Sequence, residues 1–113
     1  MHMTNSPETE IQTLLLDIWK RHLPQLIERL DLLERAAKTA ASSTLPEVQR
    51  AEAQSVAHKL AGNLGMFGHN DAGNIASQIE QILKTPKPEK FPELQSLVQT
   101  LRETLAPYLT SGN

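Results

Sequence analysis

Apolar residues recur along this chain at intervals of three and four, the spacing that lines one face of an α-helix, and no stretch alternates apolar with polar positions as a strand would. Ser6-Pro7-Glu8 opens the first run with a capping hydroxyl, a proline suited to the first helical position and an acid in the first turn. Ile11, Leu14, Leu15 and Ile18 follow at helical spacing, with Trp19 adding bulk beside them and able to cover one end of a bundle. Pro24 interrupts the pattern. A proline inside a helix loses a hydrogen bond and clashes with the carbonyl four residues back, at about 3 kcal/mol, so a break or kink is expected near His22-Leu23. The pattern resumes through Leu26, Ile27, Leu30, Leu33, Ala37 and Ala40 and ends in Ala41-Ser42-Ser43-Thr44, a loop composition.

Thr44-Leu45-Pro46-Glu47 carries the signals of a new helix start, and that helix runs to about Phe67. Gly68 suits the left-handed conformation that closes a helix, and Asn70 or Asp71 is placed to cap the next one, which buries Ala72, Ile75, Ile79, Ile82 and Leu83. The proline-bearing stretch Lys84 to Lys90 stops it. A last helix has Pro92 in its first turn, apolar positions at Leu94, Leu97, Val98, Leu101 and Leu105, and Pro107 at its end. The expected fold is all-α: an antiparallel up-and-down four-helix bundle with an additional short N-terminal helix before Pro24 packed on one end. The 113 residues form a single domain, 1–113, with residues 1–5 expected to be disordered or left over from cloning.

Within the central helix, Leu60 and Val56 each fall within about 20° of Phe67 at 100° per residue, flanked by Ala53 and Leu64, which marks a core-facing stripe. His58 lies about 160 to 180° away, towards solvent. Its neighbours at i+4 and i+7 are Gly62 and Gly65. A glycine inside a helix costs roughly 1 kcal/mol relative to alanine, so two on one exposed face point to close approach of a partner rather than to helix stability. The other residues on that face, Ala51, Gln54, Ser55 and Ala61, are small apart from Gln54, and Lys59 is the one cation between Ala51 and Leu83. Asn63 faces the edge of the core, where a buried hydrogen bond would explain it.

Composition narrows the chemistry. Eleven basic against 13 acidic residues, a net charge of −2, give no field that would draw nucleic acid or an anionic membrane. The absence of cysteine excludes disulfides and thiolate metal sites and fits a reducing, cytoplasmic setting. No apolar run approaches the ~20 residues of a membrane span. None of the four histidines forms a pair at metal-binding helical spacing, so no metal is expected, and His22 and His69 read as loop or helix-end residues. No glycine-rich nucleotide loop or nucleophile elbow is present. An exposed neutral imidazole can, however, attack phosphorus through a ring nitrogen, with a lysine beside it to stabilise the phosphoryl group. His58 with Lys59 meets that description, and Gln54, Ser55, Ala61, Gly62 and Gly65 would form the docking surface.

The stretch Ala57-His58-Lys59-Leu60-Ala61-Gly62-Asn63-Leu64-Gly65-Met66-Phe67-Gly68, followed by Ile79-Glu80 on the next helix, resembles the signature of histidine phosphotransfer (HPt) domains of two-component phosphorelays. The matching positions are His58, Leu60, Gly62, Gly68, Ile79 and Glu80. The resemblance implies a four-helix bundle whose histidine takes a phosphoryl group from a receiver-domain aspartate and passes it to another. The receivers would be those of a hybrid sensor histidine kinase and a downstream regulator. It also implies a carrier with no kinase activity or cofactor of its own, the Mg2+ ion residing in the partner receiver. Many members carry lysine three residues after the histidine, where this chain has Ala61; Lys59 stands one residue after it instead. Glu80 is assigned to structure, pairing with a cation or capping a polar network. The alternative is a non-phosphorylated helical adaptor that binds receiver or kinase domains. Its kinase-hairpin version would show an acid after the histidine and a nearby proline, which Lys59 and the proline-free stretch after it oppose. Nothing in the sequence demands more than a monomer.

Overall fold

Proline and glycine divide the chain where the pattern indicated except at Pro24, into α1 (Pro7–Ser42), α2 (Glu47–Met66), α3 (Asn70–Lys84) and α4 (Phe91–Leu105), with short 3-10 turns at Pro88–Lys90 and Ala106–Tyr108. The computed structural model describes residues 7–110, so the expectations for residues 1–5 and the Ser6 cap lie outside the described residues. No strand occurs among the described residues, and none of their helices is long and apolar enough to cross a membrane. Each helix packs on its neighbours around a ring, α1 on α2, α2 on α3, α3 on α4 and α4 on α1, with α2 and α3 the most intimate pair. Connections of a few residues leave consecutive helices antiparallel.

The core is built from the apolar faces the spacing marked. Leu30, Leu33, Leu60, Leu64, Ile79, Leu83, Leu94, Leu101 and Leu105 are fully buried. Val56, Phe67, Ile75, Ile82 and Leu97 pack against them from the edge. Between α2 and α3, Gly68 adopts φ +85°, donating its N–H to Gly65 O at 3.1 Å, while the His69 N–H reaches Leu64 O at 2.8 Å. This paired closure satisfies the last carbonyls of α2 and uses the one positive φ in the chain's described residues. The caps expected of Thr44 and of Asn70 or Asp71 do not form: Pro46 and His69 occupy the N-cap positions, without side-chain capping bonds.

The separate N-terminal helix is a correction to the expected fold. Residues on both sides of Pro24 belong to one 36-residue helix. Pro24 and Lys20, whose carbonyl loses its helical partner, are both exposed, so water can take the place of the missing N–H. On the opposite face Trp19, Leu23, Leu26 and Leu30 are buried as a continuous stripe, which holds the two halves in line. Nor does the stretch before Pro24 pack down as a lid: Ile11 and Leu14 are exposed, and Leu15 and Ile18 only half-buried.

Polar ties close the ends. Arg50 of α2 donates to both carboxylate oxygens of Glu47, to Gln54 Oε1 at 2.8 Å and to the last buried carbonyl of α3, Leu83 O, at 2.8 Å. The hydrogen bond from Arg50 holds the Glu47 carboxyl below its ordinary range. Arg102 of α4 reaches Asp31 at 3.1 Å and Glu34 at 3.6 Å on α1. At the other end Trp19 donates its indole N–H to Tyr108 O at 2.9 Å, and its ring meets Phe67 edge-on.

Candidate functional site

The outward face of α2 follows from the inward one. Ala53, Ala57, Leu60 and Leu64 are completely buried, and that stripe turns His58 to solvent with 74% of its side chain exposed. Val56 and Phe67, expected in the stripe, sit half-buried at its margin because the alanines let α3 approach on their side instead. The closest approach is at Gly73 of α3, where a Cβ would stand 3.4 Å from Ala61 O and 3.5 Å from Gly65 N. Sequence reasoning passed over Gly73; its position among small residues of two facing helices was the available signal.

This close packing brings α3 within reach of the histidine. Glu80, 18% exposed, places Oε2 3.0 Å from His58 Nδ1. An ionised carboxylate can only accept, so in this contact Nδ1 is the donor, and in the neutral tautomer that does so the lone pair is on Nε2. Glu80 therefore does what the sequence left open between a cation pair and a polar cap: it holds the imidazole itself, fixing its tautomer and orientation.

Of the remaining sequence-marked residues, Gly62 and Gly65 are exposed, and a Cβ on either would meet nothing within 4 Å. Lys59 is exposed and makes no ion pair. Ser55 is exposed too. Gln54 is half-buried and tied to Arg50, while Ala61 is half-buried against the core on the side of α3. Asn63 is a correction: it is exposed, with no buried hydrogen bond, and lines a small groove against Gln25 and Arg29 of α1. Met66, 61% exposed, was not singled out, yet it adds apolar surface one turn from Gly62 at the groove facing α1, and Val48, 83% exposed, does so near the start of α2, about 15 Å along the helix from His58. A large apolar residue outside the core stripe was the missed signal.

His69 is drawn into the end of the bundle, its ring 4.6 Å from both Trp19 and Tyr108, and burial pushes its imidazole pKa down. His22 is exposed, near Gln25. Among the described residues no group of three or more His, Cys, Asp or Glu side chains could hold a metal ion.

A family model described as "Hpt domain" matches residues 14–106. Protein RcaC of Microchaete diplosiphon is 33% identical over 94 residues, covering 80% of this chain, which spans only 14% of that protein's length. No solved structure matches the chain. A helical bundle with a family match over nearly its whole length, one histidine raised on its second helix and a carboxylate steering that ring together make the assignment: the chain belongs to the Hpt domain family, the histidine phosphotransfer modules of phosphorelays.

Proposed function

We propose that His58 is the phosphoacceptor of this module, taking a phosphoryl group from the aspartate of one receiver domain and giving it to the aspartate of another. The observation that carries this reading is the His58 imidazole, with 74% of its side chain exposed, held by Glu80 through Nδ1 at 3.0 Å, so that Nε2 is the ring nitrogen not engaged by the carboxylate. Nε2 attacks phosphorus, the P–N bond forms as the P–O bond to the aspartate breaks, and the aspartate leaves as a carboxylate. The phosphorylated ring keeps its Nδ1 proton and is cationic there, and the Glu80 charge stabilises it. Onward transfer reverses these bond changes.

The open space at Gly62 and Gly65 admits the rim of the receiver's acidic pocket, whose Mg2+ supplies the metal chemistry. Lys59, free of competing carboxylates, is placed to approach the phosphoryl oxygens in place of the lysine absent at Ala61. Ser55 and Met66 extend the docking surface. Gln54, spoken for by Arg50, contributes at its edge. On this reading the chain acts as a phosphoryl carrier, as its family does, and the nucleotide-dependent step belongs to a partner kinase.

Incubation with a phosphorylated receiver tests the proposal. Label should appear on the chain, survive base and be lost in acid, and His58→Gln should abolish it. Gly62→Gln should keep the fold and block transfer. Glu80→Gln, which keeps a hydrogen-bonding oxygen and removes the charge, should slow transfer about tenfold, the equivalent of ~1.4 kcal/mol. Binding of the receiver with no label on wild-type chain would favour the adaptor reading.

A further inference from the structure

The N-terminal turns of α1 have no counterpart in the bundle. At 1.5 Å per residue α1 is about 54 Å long and α2 about 30 Å, and the bundle closes at the level of Trp19, which bonds Tyr108. In the turns before it Leu15 and Leu16 border a groove with Pro107, Tyr108 and Thr110, while on the neighbouring face Ile11 is 57% and Leu14 58% exposed. These turns also straddle the start of the family match at residue 14. A helical stretch of about 12 residues with little tertiary packing is marginal in water, and this one leaves large aliphatic side chains exposed rather than a polar surface.

We propose that this projection pairs with the same projection of a second copy of the chain, the two helices running antiparallel. Ile11, Leu14, Leu15 and Ile18 occupy i, i+3, i+4 and i+7, an arc of about 100° on the helix. With the two-fold axis between Leu14 and Leu15, Ile11 of one copy meets Ile18 of the other and Leu14 meets Leu15. The patch is therefore complementary to itself, as an isologous interface requires.

The same register sets Glu8 against Arg21 of the second copy. Arg21 already holds Asp17 of its own helix at 2.6 Å, so its guanidinium links the two carboxylates. A parallel pair would stack Glu8 on Glu8 and Arg21 on Arg21 and force the two bundles side by side, whereas the antiparallel pair sends them in opposite directions. Burying a large aliphatic side chain removes roughly 100 Å² from water at ~25 cal/mol/Å². Ile11 and Leu14 of both copies give that much and the half-buried Leu15 and Ile18 about half of it, so that with the polar flanks the interface approaches about 800 Å², in the range of weak, transient association, and the dimer forms in the micromolar range and not more tightly. His58 lies about two turns below this end of α2 on an exposed face, and both copies keep it free.

Sedimentation equilibrium of the 12.6 kDa chain reads the outcome. A mass rising towards twice that value with concentration is expected, and Leu14→Glu should raise the dissociation constant at least tenfold. Its helical circular dichroism should be unchanged, because the replaced side chain is exposed. Glu8→Arg and Arg21→Glu should each weaken association and, combined in one chain, restore it. The chain has no cysteine. Ile11→Cys mixed with Ile18→Cys should therefore oxidise to a disulfide-linked pair faster than either variant alone. A chain that stays monomeric up to about 0.5 mM, far above a micromolar dissociation constant, overturns the proposal, as does association indifferent to Leu14→Glu. Faster cross-linking of Ile11→Cys to itself overturns the antiparallel arrangement.

Discussion

Before and after Trp19, α1 carries apolar residues at the same helical spacing, and the two stretches end in opposite surroundings. Leu26, Leu30 and Leu33 are sunk in the core, while Ile11 and Leu14 stand in water. Both stretches are helical, so the spacing decided the local structure in each. What differs is opposite them: α2 and α4 are long enough to cover the second stretch and end before the first. Helical periodicity thus reports which side chains share a face, and only the lengths of the neighbouring helices report whether that face is covered.

The largest effect that should separate the two stretches is a matched pair of truncations. Leu30→Ala removes a side chain that is 1% exposed and should cost about 2 to 5 kcal/mol. Leu14→Ala, measured in the same urea titrations below the dimerisation range, should stay within about 0.5 kcal/mol. Pro24→Ala probes the stretch beyond Trp19. Restoring the missing hydrogen bond on the exposed face should stabilise the chain by up to about 3 kcal/mol without moving the core stripe, and a loss of stability would mean that the proline shapes the packing.

Glycines repeat the lesson on α2 and α3. Gly73 lies against the backbone of Ala61 and Gly65, so Gly73→Leu must push the helices apart and should cost about 1 to 3 kcal/mol. Gly62 faces open space, and Gly62→Ala should stabilise by roughly 0.5 to 1 kcal/mol in thermal melts. The smallest effect concerns the histidines. Buried His69 binds its proton more weakly when folded than when unfolded, so its contribution is intact above the ordinary value of 6.5 and stability is lost as pH falls through that value towards the lowered one. Urea midpoints for wild type should decline more than those of His69→Phe between about pH 7.5 and about pH 5.5.

Much of the site could be read in advance. Leu60 and Leu64 at helical spacing turn His58 outward, and a positive φ at Gly68 is what a glycine just past a helix end announces. Glu80 was visible as part of a two-helix motif, but its distance from His58 depends on how closely α2 and α3 pack. That in turn rests on Gly73 meeting the backbone of its neighbour, a contact between residues remote in sequence. Asn63 was misplaced for a related reason: a helical wheel gives directions and not the positions of the neighbouring helices, and the side on which it points is left uncovered.

The amino-acid order alone determined that this chain is helical, where three of its four helices begin and end, and which imidazole faces away from the core, because these follow from backbone sterics and from the period of the apolar residues. Only the assembled bundle decided that α1 runs unbroken through Pro24, that Ile11 and Leu14 in its first turns are left exposed, and that a carboxylate from α3 reaches Nδ1 of His58. Those outcomes rest on the relative lengths and spacing of helices distant along the chain, where packing free energy outweighs the local cost of a proline and a glycine sets how near two backbones can come.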